Sequence, residues 1–535
     1  MCRYLPFLLF VLSCTGNRIQ EKNVFRYNQA DGIATLDPAF AKNQPVMWTS
    51  RHLYNTLVEV DDSLKLVPGL AQKWWISEDG KSYRFLLQKG VCFHDDPVFP
   101  DGRGREMKAD DVVYSLNRIL DKKVASPGAW IFNGRVDTLN PFMAVNDSVF
   151  ELRLLRPFPP VLGILSMAYC SIVAREAVEK YGKDFRRHPC GTGPFMLKQW
   201  AEGQTMILHR NPRYYERDQD GHPLPYLSAI KISFFTNKAT EFMEFRQGRL
   251  DFVNDIEASF KDEILTKTGS LRKEWEGRIL LKKQPYLNTE YLGILFDPEN
   301  EWVKASPLRL KKVRQAMSHA IDRKKMMMYL RNSIGTAATA GFIPAGMPGF
   351  DSAKVKGYGY DPDRARALLK EAGYHPDSSG VITLKTIPIY AELGAFVARQ
   401  LEEIGMNVAV ETMQRATLLE QIANSRALFF RGNWIADYPD GENYLSVFYS
   451  RNPAPPNYTR YKNAEFDRLY EKALVTTNDS ERFRLYQQMD QLVMDDAPVI
   501  PLWYDMAIHL VAPGITGFAP NALNLLELRK TRKRD

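Results

Sequence analysis

The residues best suited to chemistry lie together in Trp434-Ile435-Ala436-Asp437-Tyr438-Pro439-Asp440, directly after the apolar run Ala427-Leu428-Phe429-Phe430. An acid set between aromatics just past a strand end is placed to hold a cation, because apolar walls strengthen charge attraction and exclude competing water. The pattern fits a pocket for an ammonium group. It also fits a polar turn after a core strand, with Pro439 and Asp440 as ordinary loop residues.

No other constellation is as well formed. The eight histidines show no i, i+4 pair and no cysteine partnership of zinc spacing; His94 beside Asp95 and Asp96 is the nearest approach to a metal cluster. Gly191-Thr192-Gly193-Pro194 is too short for a dinucleotide fingerprint and lacks the Gly-Lys-Ser/Thr of a phosphate loop, so it reads as a tight turn. Asp218-Gln219-Asp220-Gly221 has part of a calcium loop, but its third acidic position, correctly spaced glycine and closing glutamate are missing, which favours a surface turn. There is no Gly-x-Ser-x-Gly elbow. Neither a metal, a cofactor nor an enzymatic activity is required by these residues.

The elements that must position Asp437 alternate between strand and helix. Tyr83–Leu87 and Val149–Leu154 read as strands, and between them Val112, Val113, Leu116, Ile119 and Leu120 recur at helical spacing. Asp361 with Pro362 starts a helix that Gly373 ends, and Gly405 ends another running through Phe396, Leu401 and Ile404. Val408–Thr412 and Leu428–Asn433 follow as strands. This succession predicts α/β lobes with central sheets.

A chain of 535 residues exceeds the size at which a single core stops growing, so two or three lobes are expected. Hydrophobic content of 45% and charged content of 25% are ordinary for a globular protein. Of the net charge of +8, Arg529, Lys530, Arg532, Lys533 and Arg534 against Asp535 supply +4 and Arg3 one more, leaving +3 for the rest. A solvated basic tail explains this balance better than a nucleic-acid groove.

Family landmarks run in order along the chain: Leu36-Asp37-Pro38, Gly69-Leu70-Ala71-Gln72-Lys73-Trp74, Lys108-Ala109-Asp110-Asp111-Val112-Val113-Tyr114, Gly191-Thr192-Gly193-Pro194-Phe195, Ala320-Ile321-Asp322-Arg323 and Ile343-Pro344-Ala345-Gly346. With them, nearly everything after residue 24 resembles the dipeptide/oligopeptide-binding extracellular solute-binding proteins. The resemblance implies an α/β, bilobed periplasmic-binding-protein fold with an extra inserted domain and a ligand cleft between lobes. Residues 24–60, 190–284 and 505–535 would form a discontinuous first lobe, 61–189 the inserted domain and 285–504 the opposing lobe, with hinge strands crossing near 284 and 504. In such relatives the aspartate at the position of Asp437 binds a peptide α-ammonium, and the arginine at Arg431 can meet the C-terminal carboxylate; for Arg431 a salt bridge within the lobe is the open alternative. Trp434 is then a pocket wall or simple core. Lys42-Asn43-Gln44-Pro45 falls where relatives offer main-chain groups to the peptide, so Asn43, Gln44 and Pro45 are expected there, although Lys42 departs from the usual residue. The His94 segment is a loop after a strand in that family, which implies a structural histidine.

Leu5–Leu12 is an apolar run behind Arg3, interrupted by Pro6 and short of the ~20 residues needed to span a bilayer. Val11-Leu12-Ser13-Cys14 resembles a bacterial lipobox, giving a signal peptide over 1–13, lipid on Cys14 and a tether over 14–23. Of the five cysteines, Cys92 sits where the family has an apolar residue and reads as core filler. Cys170 and Cys190 are either a disulfide closing the loop before Gly191 or two unpaired buried thiols. The expected function is capture of short peptides at a bacterial periplasm or cell surface by a lipid-anchored, monomeric binder that delivers them to an ABC permease in the inner membrane. Competing readings are a non-peptide ligand on the same fold (nickel chelate, haem or oligosaccharide), a surface interaction protein, and a peptide hydrolase.

Overall fold

The computed structural model describes residues 23–256, 258–376 and 380–534, with the backbone alone for 258 and 259. The expected leader, tether and Cys14 lie outside the described residues. One eleven-stranded sheet spans the molecule. Its order runs Val408–Thr412, Ile382–Thr386, Phe429–Ile435, Leu280–Ile294, Val499–Val511, Phe252–Asn254, Val24–Asn28, Ala229–Ser233, Thr205–Arg210, Phe195–Ala201, with the short Thr336–Ala337 paired to Val499–Val511. Everything on one side of the central pair comes from the later part of the chain and everything on the other from the earlier part, which makes the α/β fold bilobed.

The two long strands at the centre, of 15 and 13 residues, lie antiparallel from Leu280 opposite Val511 to Gly293 opposite Val499. Their register breaks between Pro285 and Thr289, because proline offers no N–H to the ladder. A separate four-stranded antiparallel sheet, Ala71–Ile76, Ser82–Leu87, Val149–Arg153 and Phe142–Asn146, forms between the first and later strands of the earlier half. Helix Ala109–Leu120 packs on it through Val112, Leu116 and Ile119, all buried. Asp361 caps helix Pro362–Glu371 by accepting from Arg364 N–H, as the Asp-Pro signal predicts.

Several expectations are corrected. The basic tail is docked: Arg529 pairs with Glu59, Glu216 and Glu527 at 2.6 to 2.8 Å, Lys533 with Asp251 at 2.9 Å, and Arg532 lies over the Tyr226 ring. Arg529, Arg532 and Lys533 thus face acids elsewhere in the fold, so the tail is not freely solvated. Cys170 and Cys190 are both free and buried, each donating to a different carbonyl, of Ile164 and His94 respectively. No disulfide joins them, and burial raises both thiols above their usual range. Cys92 is half-exposed between buried Val91 and Phe93, so it points outward from the core.

The remaining motifs take structural roles. His94 is buried with Nε2 3.0 Å from the Gly193 carbonyl, and burial lowers its pKa to about 4. Gly191 and Gly193 turn against the end of the first long helix so closely that an added Cβ would fall 2.3 Å from Leu53 backbone atoms. The carboxylate of Asp218 accepts the backbone N–H groups of Asp220 and His222, which builds the surface turn.

Candidate functional site

Strand Phe429–Ile435 delivers Trp434 to the rim of a cavity of about 590 Å³, within the roughly 300 to 1,000 Å³ range of small-ligand pockets. The strand is held at close quarters to its neighbour because Gly432 faces Tyr291, whose ring would lie 2.7 Å from any added Cβ. Past the strand, Ala436 to Asp440 turn into the short helix Glu442–Leu445. Asp437 stands at the cavity between these two elements.

One side chain that sequence reasoning missed organises this turn. Asn443, buried, accepts the indole N–H of Trp434 at 3.1 Å and the backbone N–H of Asp437 at 3.3 Å, and donates to the Asp437 carboxylate at 3.4 Å. Beneath it, Glu442 receives the hydroxyls of Tyr438 and Tyr470, and Asp440 receives the Glu442 N–H at 2.9 Å and the Tyr486 hydroxyl at 2.7 Å. Arg482 completes the layer with an ion pair to Asp440. These buried acids are satisfied by hydroxyls, amides and a guanidinium, as buried charge requires.

Asp437 differs from them. Its side chain is exposed to the cavity, while the protein packed around it raises its carboxyl above the usual range and Asn443 pulls it back. No protein cation pairs with it among the described residues. Its surroundings include the aromatic rings of Trp434, Tyr449 and Tyr470, so a cation entering the cavity meets a carboxylate with no protein cation of its own among the described residues, set among aromatic rings.

Further lining comes from residues 130–135 and 156–158, far earlier in the chain. Arg135 packs over Phe158, 4.7 Å from its centroid, and donates to the carbonyls of Trp130 and Ile131. Gly163 backs onto Tyr438 and Pro439, and the field of Asp437 reaches Tyr169. Residues 130–163 thus meet the later half of the chain around the cavity.

The other expected site residues lie elsewhere. Arg431 is on the same strand as Trp434 but makes a two-armed ion pair with Glu290 on the adjacent strand, the second arm at 2.6 Å, and lies over the Tyr390 ring at 3.7 Å. Its carboxylate partner is therefore internal, and it does not line the cavity. Asn43 caps helix Gln44–Leu53 by accepting from Val46 N–H at 3.3 Å, Gln44 accepts from Asn254, and Pro45 fills the first turn. These three residues begin a helix and are absent from the cavity lining.

Comparison with known proteins decides the family. Residues 65–455 match the bacterial extracellular solute-binding proteins, family 5. The chain belongs to this family. It is 27% identical over 496 residues to the dipeptide-binding protein of Escherichia coli strain K12, covering 88% of this chain and 87% of that one. It is 27% identical over 524 residues to heme-binding protein A of Haemophilus influenzae, covering 94% and 91%. Among solved structures, HbpA2 from Haemophilus parasuis superposes with a TM-score of 0.82 at 23% identity, covering 96% of this chain and all of that one. As a family 5 solute-binding protein this chain shares its periplasmic-binding fold with these relatives. No helix among the described residues is long and apolar enough to cross a membrane.

Proposed function

We propose that this protein captures short peptides outside the bacterial inner membrane, holds the peptide α-ammonium on Asp437, and hands the ligand to an ABC importer without chemical change. The observation that carries the reading is Asp437 itself: a carboxylate fixed by Asn443, walled by aromatics, and left without a protein cation. A peptide amine supplies the missing charge, and closure of the lobes around it excludes water and strengthens the pair. The lobes move as the bodies 24–60 with 190–284 and 505–535, the inserted 61–189, and 285–504, flexing at the broken register of the central strands. Relatives named for dipeptide and for haem bracket the choice of cargo. The cavity favours the peptide, because an acid with no protein cation beside it among the described residues awaits an amine.

Calorimetry with free and N-acetylated peptides tests this directly. Asp437→Asn and N-acetylation should each weaken binding roughly 30-fold or more, the usual cost of about 2 kcal/mol or above for removing one partner of a desolvated pair. Equal affinity for free and acetylated peptides would sink the ammonium role. The lipid anchor on Cys14 is tested by intact mass of the membrane fraction, where protein of unlipidated mass would remove it.

A further inference from the structure

Of the four charged side chains that line the cavity, Glu442 and Arg135 each hold two hydrogen-bond partners, Asp437 holds only the Asn443 amide, and Arg156 holds none among the described residues. On the later half of the chain, both oxygens of Glu442 are taken by Tyr438 and Tyr470 hydroxyls, so Asp437 is the lining acid left with only an amide. On the inserted segment, Arg135 is bound to two carbonyls and its field reaches Tyr438 and Tyr470, the two hydroxyls that hold Glu442. Arg156 alone among the lining cations of the described residues has neither a carboxylate nor a carbonyl partner, and its side chain is exposed. Arg431, whose fork is filled by Glu290, cannot serve without breaking a buried pair.

We infer that Arg156 receives the ligand's carboxylate while Asp437 holds its ammonium, so that a zwitterionic peptide bridges the inserted segment and the opposing lobe. This deepens the peptide reading and rests on it. Guanidinium suits the task, because its planar fork donates two parallel hydrogen bonds to a carboxylate. Leu155-Arg156-Pro157 places the arginine just before a proline, whose restricted backbone limits the positions the guanidinium base can take. Because the two charges sit on different bodies, a ligand lacking either one leaves closure with a single anchor. Peptides whose termini match the span between the two groups should bind best.

The test is calorimetry with an alanine series from dipeptide to pentapeptide, each free, N-acetylated and C-terminally amidated, on wild type and Arg156→Gln. Arg156 is exposed, so the variant should melt with wild type. In wild type, amidation of the best-bound length should weaken affinity about tenfold, in keeping with the loss of a charge-assisted hydrogen bond. In Arg156→Gln that penalty should vanish while the acetylation penalty persists. An amidation penalty of unchanged size in the variant overturns the inference, as does its absence in wild type. In both of those cases a surviving acetylation penalty leaves the peptide reading standing; if no alanine peptide binds, both fall.

Discussion

Arg431 shows how a single side chain changes meaning once its neighbours are known. Its guanidinium is suited to a ligand carboxylate, yet Glu290, 141 residues earlier, occupies both arms. Burial raises the Glu290 carboxyl and Arg431 opposes the rise. Removing the arginine would strand a buried acid, so Arg431→Ala should cost about 3 to 5 kcal/mol of stability. Urea unfolding measures this; a loss below about 1 kcal/mol would show that Glu290 finds another partner. Peptide affinity per folded molecule should change little. That Asp437 and Trp434 would share one cavity was legible because aromatic and acid stand together in the chain. Asn443, Arg135 and Arg156 were not, since an amide six residues on and arginines some three hundred residues back gain their roles only from the folded cleft.

At the level of elements, the helix Asp479–Asp496 is the scaffold behind the site. Arg482, Tyr486 and Asp490 recur every four residues along one face; the first two hold Asp440, and Asp490 accepts the backbone N–H groups of Phe342 at 2.7 Å and Ile343 at 3.3 Å. Gly341 permits that approach, for an added Cβ would fall 1.9 Å from the carboxylate. Asp490 has no cation partner among the described residues, and burial pushes it up to about 7. An unfolded aspartate titrates near about 3.9, so across that window the native state keeps a proton that the unfolded chain sheds. This group's contribution is therefore most favourable at the acid end and declines as pH rises to about 7. Thermal melts from about pH 5 to about pH 8 should show Asp490→Asn losing that decline; a constant offset from wild type across the series would assign the proton elsewhere. The helix starts and strand positions around this scaffold were readable from Asp-Pro, glycine and apolar spacing. The acids on the buried face were not, because charge at helical spacing ordinarily means solvent.

For the whole molecule, the order of strands matters more than their number. The basic tail looked solvated in the sequence because its partners Glu59, Glu216 and Asp251 stand hundreds of residues away; topology alone brings them together. The same topology places Val499–Val511 at the middle of the sheet, between Leu280–Ile294 and Phe252–Asn254. A chain emerging from its N-terminus therefore makes both flanks of the sheet long before it makes the strand that joins them. Until roughly the last tenth of the polypeptide has appeared, the nascent protein holds two unfinished half-sheets, each with an unpaired edge where the centre belongs. Such an intermediate stays exposed to chaperones almost to the end of synthesis. A variant stopped at residue 498 should then resist protease in neither half, whereas persistence of one protected half would show that it folds without waiting for the closing strand.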